Sequence, residues 1–264
     1  MTEIAKDRCR RYRRRILEIS QQVQAAHVAP AFSCLEIVDA LYHEVMRPQD
    51  IFIMSKGHGC LAQYVVLEDR GIIPREDLDL YCRPGGRLGA HPDYCPTLGI
   101  HASTGSLGHG LGIAAGQALA EKMRGTDVRV YVLLSDGECQ EGSTWEAAMV
   151  AANLGLSNLI ALIDYNDFGG MDRMSTAHPA LYPLVDKFQA FGWCGSVVPD
   201  GHAREVGQMV LRLRAVSEAA TQWPSAFVCR TTKGRGVSFM ENNPLFHYRS
   251  PSPEEYRLAL EELS

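Results

Sequence analysis

The 264-residue sequence has no apolar stretch approaching the length needed to span a membrane, and no apolar signal core follows the charged residues at its amino terminus. The first absence argues against a membrane-spanning helix, and the second makes the cytoplasm the expected compartment. Its eight cysteines form no CxxC pair and no zinc-like spacing, so reduced thiols are expected rather than staples or a metal knuckle. No strand-like run leads into a clean GxGxxG with a ribose-binding carboxylate downstream, which argues against a dinucleotide-binding domain. Internal repeats, low-complexity segments and a convincing domain boundary are also missing, so residues 1–264 read as one domain large enough for a substantial core. Charge is modest: 26 Lys and Arg against 31 Asp and Glu leave a formal −5, giving no general attraction to nucleic acid or anionic membrane. The local exception, Arg8 to Arg15, precedes the apolar positions Ile16, Leu17 and Ile19 of the same helix. Its arginines are expected to solvate the outer face.

What is present centres on two apolar, β-branched runs, Val128 to Leu134 and Leu159 to Ile163, which suit parallel strands buried on both faces. Each ends in oxygen donors, the first at Asp136 and the second at Asn166. Between them Ser143 to Gly155 reads as a helix with a serine N-cap and a terminal glycine. In an open parallel sheet ligands sit at the carboxyl ends of strands, so a strand–helix–strand unit would bring Asp136 and Asn166 to one rim. One anionic and one neutral oxygen suit a magnesium ion whose other positions go to phosphate oxygens and water. Either piece alone is an ordinary post-strand turn; the βαβ frame makes the pair a candidate metal–diphosphate site. Gly105 to Gly116, a helix start with recurring small residues, suits a diphosphate or close helix packing about equally well.

The stretch resembles the thiamine diphosphate motif, a Gly-Asp-Gly followed some thirty residues later by Asn, here with Ser135 in place of the first glycine, and specifically the transketolase version with Glu138 and Glu141-Gly142 after it. The resemblance runs along nearly the whole chain. His27 falls where transketolases have Gly-His-Pro-Gly, and Ser55-Lys56-Gly57-His58-Gly59 is similar to Ser-Lys-Gly-His-Ala. Gly89-Ala90-His91-Pro92 and Ser103-Thr104-Gly105-Ser106-Leu107-Gly108-His109-Gly110 match two further motifs. The resemblance implies an α/β fold, a doubly wound and mainly parallel sheet with helices on both faces, of the diphosphate-binding (PP) type. It implies thiamine diphosphate and Mg²⁺, or another divalent cation such as Ca²⁺ or Mn²⁺, with Asp136, Asn166 and the Phe168 main-chain carbonyl as metal ligands. His58, Gly105, Ser106, Leu107, Gly137, Glu138, Asn166 and His247 would contact the cofactor, and His27, His58, His91 and His247 would serve as catalytic groups.

A full transketolase is more than twice as long, so the chain resembles the amino-terminal subunit of a split enzyme. A separate pyrimidine-binding, carboxy-terminal subunit would complete an α2β2 assembly and supply a glutamate that this chain lacks. The implied reaction moves a two-carbon ketol unit from a ketose or ketose phosphate to an aldehyde. The alternatives are a thiamine-dependent enzyme using a 2-oxo acid, of the deoxyxylulose phosphate synthase or 2-oxo acid dehydrogenase type, and a non-catalytic regulatory subunit that keeps the fold. Four departures from the family pattern, His101, His109, Ser135 and Tyr248, are expected to cluster at the reaction site and to alter the acceptor, as in a specialised two-carbon transfer. Lys56 and His202 are assigned to structure, His43 and His178 to no function, and Cys139 is expected beside the metal site with some reactivity towards thiol reagents.

The remaining elements are expected as helices over Ala5 to Gln24, Ser33 to Met46, about Leu61 to Leu67, Leu184 to Phe191, Ala203 to Ala220 and Pro253 to Leu263. Strands are expected at Ile51 to Met54, Gly192 to Val198 and Ser225 to Thr232, and Arg83 to Ser106 reads as a long functional loop.

Overall fold

Alternation along the central strands builds the two faces of the molecule. The computed structural model describes residues 3–24, 27–202, 210–211, 214–215 and 222–264. Within them β1 (Ile51–Met54), β2 (Val130–Ser135), β3 (Leu159–Tyr165), β6 (Cys194–Val198) and β7 (Ser225–Arg230) form a parallel sheet in the order β1-β2-β3-β7-β6. Phe52, Tyr131, Leu133, Ile160, Leu162 and Phe227 pack on one face against α1 (Glu3–Val23), α2 (Val28–Ala40) and α3 (Cys60–Asp69). Ile53, Val130, Val132, Leu134, Ala161, Ile163 and Val228 pack on the other. There they meet α5 (Gly110–Arg124), α6 (Gly142–Asn153) and α8 (Leu184–Ala190). Neighbouring residues on a strand point to opposite faces, so a sheet covered on both sides needs an unbroken apolar run. That is the expected doubly wound architecture.

Shorter elements complete the chain: α4 (Arg75–Asp79), the hairpin β4 (Phe168–Gly169) with β5 (Asp172–Arg173), α7 (Met174–Ala177) and a terminal helix α9 (Pro253–Glu262). The last has the full capping signature, with Ser252 and Glu255 exchanging bonds and Pro253 in the first turn. Residues 83–106 are loop apart from one short turn at Pro96–Leu98.

Several local expectations are corrected. The second helix starts at Val28, not Ser33, because Pro30 lies in the first turn where its missing N–H costs nothing. Ser33 is therefore inside the helix and buried. Ser143 does not cap α6: the helix begins at Gly142, and the Ser143 hydroxyl donates to the Gly108 carbonyl at 2.9 Å. The glycine-rich helix starts at Gly110 rather than Gly105. A side chain at Gly110 would meet Ser55 Oγ at 2.1 Å, so this glycine serves close packing. The arginines of α1 are not all solvated. Arg13 pairs with Glu36 at 2.6 Å and Arg15 with Glu68 at 2.9 Å, both guanidinium groups being buried, and Arg8 pairs with Asp39 at 2.6 Å. The helix expected over 203–220 lies mostly outside the described residues; 210–211 and 214–215 are helical.

Candidate active site

The carboxyl ends of β1, β2, β3 and β7 all open on one rim, as parallel pairing requires. Met54 leads into Ser55-Lys56-Gly57-His58, Ser135 into Asp136-Gly137, Tyr165 into Asn166, and Arg230 into Thr231-Thr232-Lys233. A cavity of about 520 Å³ lies over that rim, and His27, His58, His91 and His247 line it. The His27 ring centroid is 5.9 Å from His58, 5.7 Å from His91 and 5.8 Å from His247. Four histidines separated by up to 220 positions in sequence thus share one wall.

Beneath the cavity floor, Asp136 is fully buried. Its Oδ1 accepts from Gly137 N at 2.9 Å, and its Oδ2 from Asp167 N at 2.8 Å and the Tyr182 hydroxyl at 3.1 Å. Burial and the Asp164 charge push its carboxyl up to about 7, the situation of an acid that a cation would relieve. Asn166 Oδ1 accepts from Phe168 N at 3.0 Å, and the Phe168 carbonyl comes within 3.6 Å of where a Gly137 side chain would start. Asp136, Asn166 and Phe168 therefore converge. Among the described residues no group of three or more His, Cys, Asp and Glu side chains could hold a metal ion. A cation here would draw on one carboxylate and two neutral oxygens, a hard donor set that fits magnesium completed by phosphate oxygens.

The orientation of Asn166 is set by a buried network. Its Nδ2 donates to Ser33 Oγ at 3.0 Å and to Asp164 Oδ2 at 3.2 Å, which turns Oδ1 the other way. Asp164 also accepts from Ser33 at 2.7 Å, from Thr231 and from Lys56, whose ammonium reaches the Pro30 carbonyl at 3.1 Å. Burial alone would raise the Asp164 carboxyl, but Lys56 and these donors hold it below its ordinary value. Lys56 is thus the structural cation expected. Glu138 is buried too, and it ties the walls together by accepting from Ser55 Oγ at 2.5 Å and Gly108 N at 2.9 Å.

A family model described as "Transketolase, thiamine diphosphate binding domain" matches residues 12–250. The chain belongs to that transketolase family. It is 37% identical over 261 residues to an apulose-4-phosphate transketolase subunit of Phocaeicola vulgatus, covering 96% of this chain and 91% of that protein. It is 36% identical over 260 residues to a 6-deoxy-6-sulfo-D-fructose transketolase subunit of a Clostridium species, covering 95% and 93%. The fold superposes on transketolase from Leishmania mexicana with a TM-score of 0.89 at 26% identity, covering all of this chain and 41% of that one. The chain is accordingly a transketolase-like, thiamine diphosphate-binding chain of transferase type. The 2-oxo acid and non-catalytic alternatives are not favoured.

In this transketolase-type site Gly105, Leu107, Gly137 and Phe168 line the cavity as expected, whereas Ser106 is exposed and away from the lining and Glu138 lies behind the wall. Gly108 N is already spent on Glu138, so the loop before α5 is at least partly a packing device. Of the four departures, Ser135 and Tyr248 do line the cavity, and the Tyr248 ring lies 4.4 Å from His247 and 5.3 Å from His27. His101 and His109 do not, which corrects the expected cluster: His101 packs under the Phe52 carbonyl at 3.3 Å and His109 is exposed. Ser135 closes β2 without positive φ, so it carries no backbone strain. His202 is structural, its Nδ1 being 3.0 Å from Glu36 and its Nε2 accepting from Thr232 N at 2.6 Å. Cys139 is buried with its thiol pushed well up by burial and by Glu138, so the expected reactivity is not supported.

Sequence reasoning missed Asp164, Lys233 and Tyr182. An acid inside the apolar run of β3 was a usable signal for Asp164. Lys233 is buried, its Nζ lies 2.7 Å from His247 Nδ1 and donates to the Gly170 carbonyl at 3.2 Å, and it is pushed down to about 7 by burial and by Lys56. Its position just past a central strand end was the signal.

Burial pushes His27 down to about 4, His247 to about 3, and His58 well below 6.5, with neighbouring histidines and lysines adding to each shift. The folded state keeps these rings neutral where the unfolded chain binds protons near pH 6.5, so their linkage makes stability rise with pH between about 4 and 6.5. Asp136, raised to about 7, opposes them over roughly pH 4 to 7. His43 and His101 are lowered too and Glu138 is raised, so the depressed histidines outnumber the raised acids, and urea unfolding in pH steps is expected to show stability falling from pH 6.5 towards 4. Stability that rises on acidification over that window would contradict the neutral-histidine assignment.

Proposed function

We propose that residues 1–264 form one diphosphate-binding domain that holds thiamine diphosphate through a magnesium ion on Asp136, Asn166 and the Phe168 carbonyl. A separate pyrimidine-binding subunit completes the site in an α2β2 assembly. The complex transfers a two-carbon ketol unit from a ketose or ketose phosphate to an aldehyde. The observation that carries this reading is that Asp136, Asn166 and Phe168 are neighbours at the ends of β2 and β3, linked by hydrogen bonds from Asp167 N and Phe168 N, beside a cavity walled by four histidines. The partner is supported by relatives named as subunits and by the 41% share of a solved transketolase that this chain spans. Eight free cysteines and the lack, among the described residues, of a helix able to cross a membrane fit a cytoplasmic enzyme.

Bound thiamine diphosphate supplies the electron sink that making and breaking a carbon–carbon bond beside a carbonyl requires. This chain's residues hold and orient. Asp136, Asn166 and the Phe168 carbonyl would hold the metal end, Gly105 and Gly137 lack a Cβ and let backbone approach closely, and Leu107 lines the cavity. His27, His58 and His247, kept neutral by burial, act as hydrogen-bonding groups towards substrate hydroxyls and a carbonyl oxygen, and His91 joins them from the long loop. Among the described residues His27 Nδ1 is buried without a partner, which suits a ligand group. Lys233 Nζ, 2.7 Å from His247 Nδ1, holds that ring in place against the cavity. Mixing this chain with a carboxy-terminal-type transketolase subunit, thiamine diphosphate and Mg²⁺ should yield ketol transfer that neither chain supports alone. In the same assay His91→Ala should lower kcat by about 10²-fold with cofactor affinity retained. Transfer by either chain alone would overturn the split-site reading.

A further inference from the structure

The strand-exit segment after β3 does more than offer the Phe168 carbonyl. From Asn166 the chain runs through the β4–β5 hairpin and α7, and returns at Tyr182 to the same carboxylate it left. The Asp167 carboxylate holds the bend, accepting from Ser175 N at 2.7 Å, from the Ser175 hydroxyl at 2.8 Å and from Arg173 at 3.1 Å. At the far end the Tyr182 ring stacks on Tyr165, the last residue of β3, with centroids 4.8 Å apart and planes 20° from parallel. That stack fixes the hydroxyl at 3.1 Å from Asp136 Oδ2.

We propose that Tyr182 is a positioning residue for the cation site: its hydroxyl, with Asp167 N, occupies Asp136 Oδ2 and leaves Oδ1 as the oxygen turned to the metal. The inference rests on the reading of Asp136 as a metal ligand. Two donors from the return segment on one oxygen define the rotation of the carboxylate, while the other accepts only the adjacent Gly137 N–H. The segment itself is held by the ring stack on Tyr165, so the hydroxyl acts on the carboxylate alone. Removing it leaves the ring on Tyr165 and the segment in place but lets the carboxylate turn. Groups that orient a metal ligand from behind typically set metal affinity by about 10- to 100-fold.

The test is the affinity of Mn²⁺, read as free ion by electron paramagnetic resonance, for the complex of this chain with its partner subunit under saturating thiamine diphosphate. Wild type, Tyr182→Phe and Asp136→Ala are compared. Tyr182→Phe should raise the Mn²⁺ Kd by about 10- to 100-fold, and kcat at saturating Mn²⁺ should stay within about twofold of wild type. Wild-type Mn²⁺ affinity in Tyr182→Phe, with affinity lost in Asp136→Ala, overturns the positioning role. Wild-type affinity in Asp136→Ala overturns the metal assignment beneath it.

Discussion

Replacing Asp136 by alanine is expected to abolish metal-dependent binding of thiamine diphosphate while the chain stays folded. The carboxylate is the one anionic group among the three proposed donors, and hard divalent cations favour such a group. A loss of at least about 100-fold in cofactor affinity is expected, since removing a ligand should cost no less than disturbing a supporting contact. The fold should survive, because the buried carboxyl is pushed up to about 7 by burial and Asp164 and so contributes no net stabilisation as an ion near neutral pH. Removing it also removes a like charge near Asp164. Isothermal titration with thiamine diphosphate and Mg²⁺, beside a thermal melt, separates the outcomes. Unchanged affinity would remove the metal role; an unfolded variant would mean that the Gly137 N, Asp167 N and Tyr182 bonds hold the rim together.

The second large effect lies one layer deeper. Lys56→Met should destabilise the chain by about 3–5 kcal/mol, the usual cost of leaving a buried carboxylate without its cation. Asp164 is fully buried and keeps only neutral donors once the ammonium is gone. The double variant Lys56→Met with Asp164→Asn should regain much of that stability, because no uncompensated charge remains. It should not regain cofactor binding in full. An asparagine at 164 no longer presents acceptors alone to the Asn166 amide, so the orientation that turns Asn166 Oδ1 towards the site is lost. Chemical denaturation measures the first part and cofactor titration the second. Equal recovery of both would show that the pair only stabilises.

The sheet was legible because its central strands are covered on both faces and so carry unbroken apolar runs, Val130 to Leu134 in β2 and Leu159 to Ile163 in β3. The cavity histidines and the Asp136, Asn166 and Phe168 set were legible through motif order along the chain, and the structure brings them to one rim. Caps were less legible. Ser33 and Ser143 have the residue type of an N-cap, yet tertiary partners claim their hydroxyls, Asp164 for one and the Gly108 carbonyl for the other. The arginines of α1 misled because charge alone does not reveal that Glu36, Glu68 and Asp39 lie on the facing helices. Tyr182 left no trace in local sequence, since its role depends on a segment folding back over some fifteen residues to a carboxylate on another strand.

The most direct measurement is a crystal structure of this chain with its partner subunit, Mn²⁺ and thiamine diphosphate, with the metal located by anomalous scattering. The account predicts a Mn²⁺ peak at the β2–β3 rim, directly liganded by Asp136 Oδ1, Asn166 Oδ1 and the Phe168 carbonyl, with the diphosphate in the histidine cavity. A metal held away from these three oxygens, or a diphosphate bound outside the histidine cavity, would contradict it.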